Sequence, residues 1–349
     1  MNNLYIESDQ DSDIILESKL SLFPEDSLYI GHKDDSGVYY IGDSLDLLKS
    51  ELFSKLRGKI RLIITSPPFP LNNKKSYGNL QGETYLDWFK SLAPIFSEML
   101  MPDGSLVIEL GNSWEPGRPV QSTLHMEALL SLTKHEQAGL RLIQQFVCYN
   151  PSRLPSPAQW VTIKRIRTVD SFTHVWWLAK NDEPLANNKN VLRPYSKSMK
   201  ALMQRGTYNA GKRPSEHIIS EKGFLKNHGG SIAHNLFELD AIDENRDVRL
   251  PSAFSFSNSS SNDYFHKLCK KNNIIPHPAR MPEGLVSFFV KFLSEPKDIV
   301  LDPFAGSNTT GYVAASLERK WVSIDIKEEY SEQSKLRFKN FKLTKGAKL

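Results

Sequence analysis

Only two cysteines occur in the 349 residues, Cys148 and Cys269. Such a pair offers neither metal-ligand spacing nor a disulfide framework, so no metal site is expected and a stapled secreted scaffold is excluded. Both are expected to be inert core thiols in a reducing compartment. No uninterrupted apolar run approaches the ~20 residues needed to cross a bilayer. The N-terminus is acidic instead of carrying a basic stretch followed by an apolar one. The chain is therefore expected to be cytoplasmic, with no membrane partner. Neither a G-x-G-x-x-G dinucleotide fingerprint nor an internal repeat at solenoid periods is present. What is present is a 40% hydrophobic fraction, enough to fill a sizeable core and to exclude a disordered tail protein. The length allows one large domain with an insertion or two domains sharing an interface.

A strong net charge is also missing, since 44 Lys and Arg stand against 40 Asp and Glu for a formal +4. The distribution is uneven. Residues 151–230 carry 14 basic against five acidic side chains, a surplus of nine that leaves the rest of the chain at −5. The first 26 residues hold seven acids and one lysine, and the last 19 hold six basic residues and one acid. A basic centre suits a polyanion partner, although charge alone equally allows a solvated face balanced by acids elsewhere.

Residues 1–26 lack periodicity and read as a flexible acidic arm. Beyond them, strand-like and helix-like patterns alternate. Residues 38–41 form a short strand, and Gly42-Asp43 turn into a helical set of Leu45, Leu48, Leu52 and Leu56. Residues 61–65 are a buried strand ending at a Pro-Pro turn. A helix follows over residues 83–100, with Pro94 as a possible kink, then a strand over 105–110 after the Asp103-Gly104 turn. Residues 123–139 read as helix, and 142–149 and 172–179 as strands, with Trp176 and Trp177 in the core. The alternation resumes with a helix over 283–293, a strand over 298–301, a helix over 309–320 and a strand over 321–326. This order argues for an α/β fold, a doubly wound, mostly parallel sheet covered on both faces. Between about 181 and 273 the pattern fails, and that stretch reads as a loop-rich inserted module.

Two strand-end loops carry the chemistry. In the first, Asp302-Pro303-Phe304-Ala305-Gly306-Ser307-Asn308-Thr309 lies between a strand and a helix, and Asp325 closes the next strand. Small residues there let the backbone approach a nucleotide-like ligand, and the following strand-end acid can accept hydrogen bonds from ribose hydroxyls. Without the three-glycine spacing the loop suits a nucleoside lacking phosphates, and S-adenosylmethionine is the common cofactor of that description; a tight turn without a ligand is the alternative. In the second loop, Ser66-Pro67-Pro68-Phe69, two prolines remove two backbone donors and leave rigid carbonyl acceptors beside an aromatic ring. Such a site can take a planar group bearing an amine, though the tetrapeptide taken alone is more readily a simple proline turn. Loops at the carboxyl ends of parallel strands converge on one crevice, which would bring the two together.

These loops resemble the catalytic and cofactor motifs of the amino-DNA methyltransferases of restriction–modification systems, in the permuted order that places the catalytic motif first. The stretches TSPPFPLNNKKSYGN (65–79), NPSRLPSP (150–157), THVWWLAK (173–180), GGSI (229–232) and HPAR (277–280) are similar to the PvuII-type, cytosine-N4-specific branch. The likeness spans roughly residues 38–330. It implies a Rossmann-like methyltransferase fold using S-adenosylmethionine. It also implies that Asp43 lies near the adenine of that cofactor, and that residues 277–280 open the helix covering its methionine end. This makes His277 and Arg280 cofactor-side candidates, with a surface histidine beside Pro276 and Pro278 as the alternative for His277. A second glycine is usual in the family where this chain has Asn308; asparagine is a good helix N-cap there.

The chemistry this implies is methyl transfer to an exocyclic amine. Ser66 and the Pro67 carbonyl would accept from the amine as it pyramidalises, while Phe69 stacks on a base flipped out of duplex DNA. Carbon-5 methylation needs a cysteine nucleophile, and neither cysteine sits in a proline-cysteine loop. Serine at position 66 favours cytosine N4, with adenine N6 as runner-up. An RNA or protein methyltransferase and a non-catalytic nucleic-acid-binding protein are the readings of other classes. Arg153, Lys164, Arg165, Arg167, Arg193, Lys212 and Arg213 are the candidate phosphate contacts, and side chains of the 181–273 module the candidate base readers. The expected organisation is an arm at 1–26, a catalytic domain at 27–180 and 274–342, the recognition module between its halves, and a basic tail at 343–349. The expected state is a monomer or weak dimer, linked functionally to a cognate restriction endonuclease.

Overall fold

The computed structural model describes residues 23, 26, 29–70, 80–239, 254–256 and 264–339. The acidic arm apart from two positions, residues 71–79 that follow the Ser66-Pro67-Pro68-Phe69 loop, residues 240–253 and 257–263 of the inserted stretch, and the 343–349 tail lie outside them.

In chain order the described elements are β1 (Ile30–Asp34), β2 (Gly37–Ile41), α1 (Ser44–Lys49), β3 (Ile60–Thr65), α2 (Gly82–Met99), β4 (Leu100–Leu110), α3 (Leu124–Thr133), β5 (Arg141–Tyr149), β6 (Phe172–Ala179), α4 (Lys197–Arg205), β7 (Gly211–Lys212), β8 (Ile218–Ile219), β9 (Leu236–Leu239), β10 (Phe254–Phe256), α5 (Tyr264–Lys271), α6 (Glu283–Leu293), β11 (Ile299–Asp302), α7 (Thr309–Ser316), β12 (Lys320–Asp325) and α8 (Glu328–Phe338). Ten strands form one sheet in the order β1-β2-β12-β11-β3-β4-β6-β5-β9-β10. β1 and β6 alone oppose the common direction among them. The mostly parallel, doubly wound expectation therefore holds.

Strand alternation feeds two cores. Tyr40, Ile63, Leu106, Trp176 and Val322 face one layer with α1, α2 and α3. Tyr39, Ile64, Val107, Trp177 and Trp321 face the other with α6, α7 and α8. Strands buried on both faces can afford no polar alternation, which is why they read as continuous apolar runs. Both tryptophans of β6 are core, as expected, and the Trp177 indole N–H donates to the Ser105 hydroxyl at 2.9 Å. Cys148 and Cys269 are buried, and desolvation pushes the Cys148 thiol well above its ordinary range.

Several boundaries differ from the sequence pattern. Pro94 lies inside α2 without ending it. The helical leucines at 45–56 are split at Ser50, whose extended backbone separates α1 from a 3₁₀ turn over Glu51–Leu56. The Asp103-Gly104 signal survives as an irregularity within β4, where pairing steps from Ile60–Leu100 to Leu62–Ser105. Within 181–273 the chain is not loop alone: β9 and β10 extend the main sheet, and Phe237 of β9 is fully buried. Strands of three or four residues whose partners are far away in sequence leave too short a pattern to read.

Candidate functional site

β3 and β11 are neighbours, so the two chemistry-bearing loops start side by side at the carboxyl edge of the sheet. The Thr65 hydroxyl donates to Asp302 at 2.7 Å, tying one loop to the other. A cavity of about 240 Å³ opens there, lined by Ser66, Pro67, Pro68 and Phe69 on one side. Asp43, Asp302, Phe304, Ala305, Gly306, Ser307, Thr309, Asp325, His277 and Arg280 line the other.

On the cofactor side, the Asp325 carboxylate accepts the Gly306 N–H at 2.8 Å and the Lys327 N–H at 3.0 Å. Burial raises its pKa, and these N–H donors oppose the rise. Each carboxylate oxygen accepts more than one hydrogen bond, so acceptor capacity remains toward the cavity. Gly306 has φ of 48°, and a β-carbon there would lie 3.1 Å from His277 Nε2. Glycine is needed both for the left-handed turn and for the close approach of the imidazole. His277 Nδ1 accepts the Ala279 N–H at 3.2 Å, and burial lowers its pKa to about 4, so the ring is neutral at physiological pH. Arg280 donates to His266 Nδ1 at 2.8 Å and lies over the Phe265 ring. Asp43 caps α1 through the N–H groups of Leu45 and Asp46.

Two of the sequence-derived cofactor residues act on the loop from within. The Asp302 carboxylate is almost fully buried and accepts the Thr65 and Thr310 hydroxyls and the Phe304 N–H. Burial pushes it up to about 6 against those donors. Asn308 does not line the cavity: it is fully buried, with φ of 60°, and caps α7 by accepting the Gly311 N–H at 2.9 Å. Its amide also accepts from Ser323 and donates to Ser334. Asparagine is among the few non-glycine residues that tolerate the left-handed region, which accounts for its presence where glycine is usual. Asn308 is thus a structural cap, a correction to its reading as a cofactor contact.

On the catalytic side, Phe69 packs against Gly111, where a β-carbon would come within 2.6 Å of the ring. The Ser66 hydroxyl lies near enough to Glu109, toward the end of β4, to help hold down the pKa of that carboxyl. Glu109 also accepts the Thr173 hydroxyl at 3.0 Å and feels the charge of Arg153. Burial raises its pKa, opposed by these three neighbours. Sequence reasoning missed Glu109; its signal was a lone acid inside the apolar run of residues 106–110. It missed Trp88 as well, which lines the cavity 5.6 Å from Phe304. Sequence reasoning also missed Arg337. It is buried, donates to the Ser307 carbonyl and to the Ser307 and Thr309 hydroxyls, pairs with Glu283 at 3.0 Å, and lies 3.9 Å over Phe265. It holds the cofactor-side loop from behind.

The candidate DNA-contact residues lie apart from the cavity lining. Arg153 donates to the Phe172 carbonyl, Lys164 covers Trp160, and Arg167 lies 3.6 Å over Trp114. Arg165 is exposed. Arg193 pairs through its backbone with Ser231, and Lys212 and Arg213 belong to the β7–β8 hairpin and its turn.

Residues 60–336 match the family model described as DNA methylase. The chain belongs to the N6/N4 DNA methylase family. It is 41% identical over 305 residues to the type II methyltransferase M.PvuII of Proteus hauseri, a match covering 87% of this chain and 84% of that one. A local stretch of 54 residues is 52% identical to the DNA adenine methyltransferase YhdJ of Escherichia coli (strain K12), covering 16% of this chain and 18% of that one. Among solved structures, the cytosine-N4-specific PvuII DNA methyltransferase superposes with a TM-score of 0.66 at 34% identity, covering 91% of this chain and 92% of that one. Among the described residues no helix is long and apolar enough to cross a membrane, and no cluster of His, Cys, Asp and Glu could hold a metal ion.

Proposed function

We propose that this DNA methylase transfers a methyl group from S-adenosylmethionine to the N4 amine of a cytosine flipped out of duplex DNA, protecting a short site from a cognate endonuclease. The observation that carries the reading is the single cavity lined both by the Ser66-Pro67-Pro68-Phe69 turn and by the Asp302–Thr309 loop with Asp325. The cavity fits the cofactor by its donor set: a strand-end carboxylate for ribose hydroxyls, a left-handed glycine that keeps the loop backbone close, and apolar walls from Phe304 and Trp88. When bound, S-adenosylmethionine supplies an electrophilic sulfonium methyl group.

The chain's own residues do the rest. The Ser66 hydroxyl that donates to Glu109 turns its lone pairs toward the incoming amine. Together with the Pro67 carbonyl it accepts both amine hydrogens, drawing the nitrogen lone pair out of conjugation as the transition state forms. Phe69, braced on Gly111, offers its ring face to the base and to the developing positive charge. As the nitrogen becomes positive, one of its protons passes through the Ser66 hydroxyl to the Glu109 carboxylate, whose raised pKa suits it to receive it. Most of the acceleration comes from in-line positioning within one closed pocket. The basic block from Arg153 to Arg213 neutralises phosphates, and the 181–273 module reads bases.

Glu109 must be ionised to accept from Ser66, and its pKa is raised, so kcat should fall as pH drops through that raised value. A kcat–pH profile should show an acid limb in the wild type that Glu109→Gln flattens at a low rate; an unchanged profile would remove the relay. The whole reading is tested by incubating the protein with labelled S-adenosylmethionine and duplex DNA, digesting to nucleosides, and mapping the modified site. N4-methylcytosine is expected. N6-methyladenine would select the adenine reading that the local YhdJ match favours, and absence of label in DNA would overturn both.

A further inference from the structure

The loop between β5 and β6, residues 150–171, carries four of the basic side chains assigned to phosphates, and its β6 end meets Glu109 through Thr173. Its neck is closed by the Asn150 N–H donating to the Ser171 carbonyl at 2.6 Å, and Arg153 donates to the Phe172 carbonyl at 3.1 Å. The next residue, Thr173, donates to Glu109, whose pKa Ser66 helps to lower. The outer part of the loop has its own framework. The Pro157 carbonyl accepts the N–H groups of Trp160 and Val161, and the Trp160 carbonyl accepts that of Ile166. Arg167 is fixed against Trp114 and donates to the Pro119 carbonyl at 2.9 Å.

On that ordered frame Leu154 is 79% exposed, Ile163 69% and Ile166 59%. Single exposed apolar side chains are ordinary. Three on one braced loop are not, because each leaves a large apolar surface in water. Their surroundings indicate what covers them: the loop carries Arg153, Lys164, Arg165 and Arg167 against Asp170 alone. Cations for phosphates beside branched apolar side chains suit a duplex whose base stack has been opened, since such side chains enter between bases where a step is unstacked. A flipped base leaves a gap of that kind.

We propose that Ile163 and Ile166 are a wedge that occupies the gap left by the flipped target base and holds the duplex open during methyl transfer. This role rests on the reading of the protein as a methyltransferase of a base in duplex DNA. The wedge stabilises the extruded state and leaves the chemical step to Ser66 and Glu109.

The test is the double variant Ile163→Ala/Ile166→Ala, assayed on an oligonucleotide duplex bearing the mapped site and on the same duplex with an abasic position opposite the target base. Both side chains are exposed, so the thermal midpoint and cofactor affinity should stay at wild-type values. On the paired duplex kcat/KM should drop about tenfold or more, and on the pre-opened duplex less than about twofold, because unpairing is already done there. With 2-aminopurine at the target position, the fluorescence rise on binding should shrink in the same variant. Ile163→Met/Ile166→Met, which keeps apolar bulk, should restore both signals. Equal losses on the two duplexes, or none on either, would overturn the wedge. Wild-type turnover on the duplexes reports the methyltransferase reading; the variant's ratio between them reports the wedge.

Discussion

Ser66→Ala is expected to slow methyl transfer about a hundredfold, or ~2.7 kcal/mol of transition-state stabilisation, while leaving cofactor affinity nearly unchanged. The magnitude follows from what is lost. Alanine removes the acceptor that faces the amine and also breaks the path from the amine to Glu109. The Pro67 carbonyl remains, so the loss is that of one partner of a pair. Single-turnover measurements with cofactor saturating should place the whole effect in the chemical step. Full activity would show that the hydroxyl is dispensable and that the Pro67 carbonyl and Phe69 suffice.

Asp325→Ala should weaken S-adenosylmethionine binding by tens- to a hundredfold, since hydrogen bonds to a charged group contribute ~1.5–3 kcal/mol. The same carboxylate holds Gly306 and Lys327 by their N–H groups, so alanine also loosens the loop. Asp325→Asn keeps the shape and one acceptor oxygen, so it retains one of the two loop hydrogen bonds but loses the charge, and should weaken binding less than alanine does. Calorimetric titration of both variants provides the check, and wild-type affinity in the alanine variant would remove the ribose assignment. The burial-raised pKa of Asp325 adds a pH sign: affinity should decline as pH falls through it, because the protonated acid accepts less well.

The two predictions rest on loops whose local character could be read from residue order. Two prolines after an apolar run make a rigid acceptor turn, and a small-residue loop with an acid closing the next strand suits a nucleoside at the edge of a parallel sheet. The apolar runs of β3, β11 and β12 announced strands buried on both faces. The split of the leucine helix at Ser50 did not show, because leucine spacing is preserved across the break. Nor did Asn308 show its role, since a capping amide and a ligand-binding amide look alike until the pocket wall is drawn.

By itself, then, the order of residues determined the two loops, the parallel α/β frame and the chemistry each loop can perform, since these follow from short-range backbone restriction and hydrophobic periodicity. Tertiary structure alone decided which distant groups serve those loops. β6 runs against its neighbours, so its first residues, not its last, reach the carboxyl edge of β4. That reversal delivers Thr173 to Glu109 and Glu109 to Ser66. Likewise α8 returns Arg337 beneath the loop that Asp302 opens. Strand direction and helix return are global properties set by which faces must be buried together, and no local pattern encodes them.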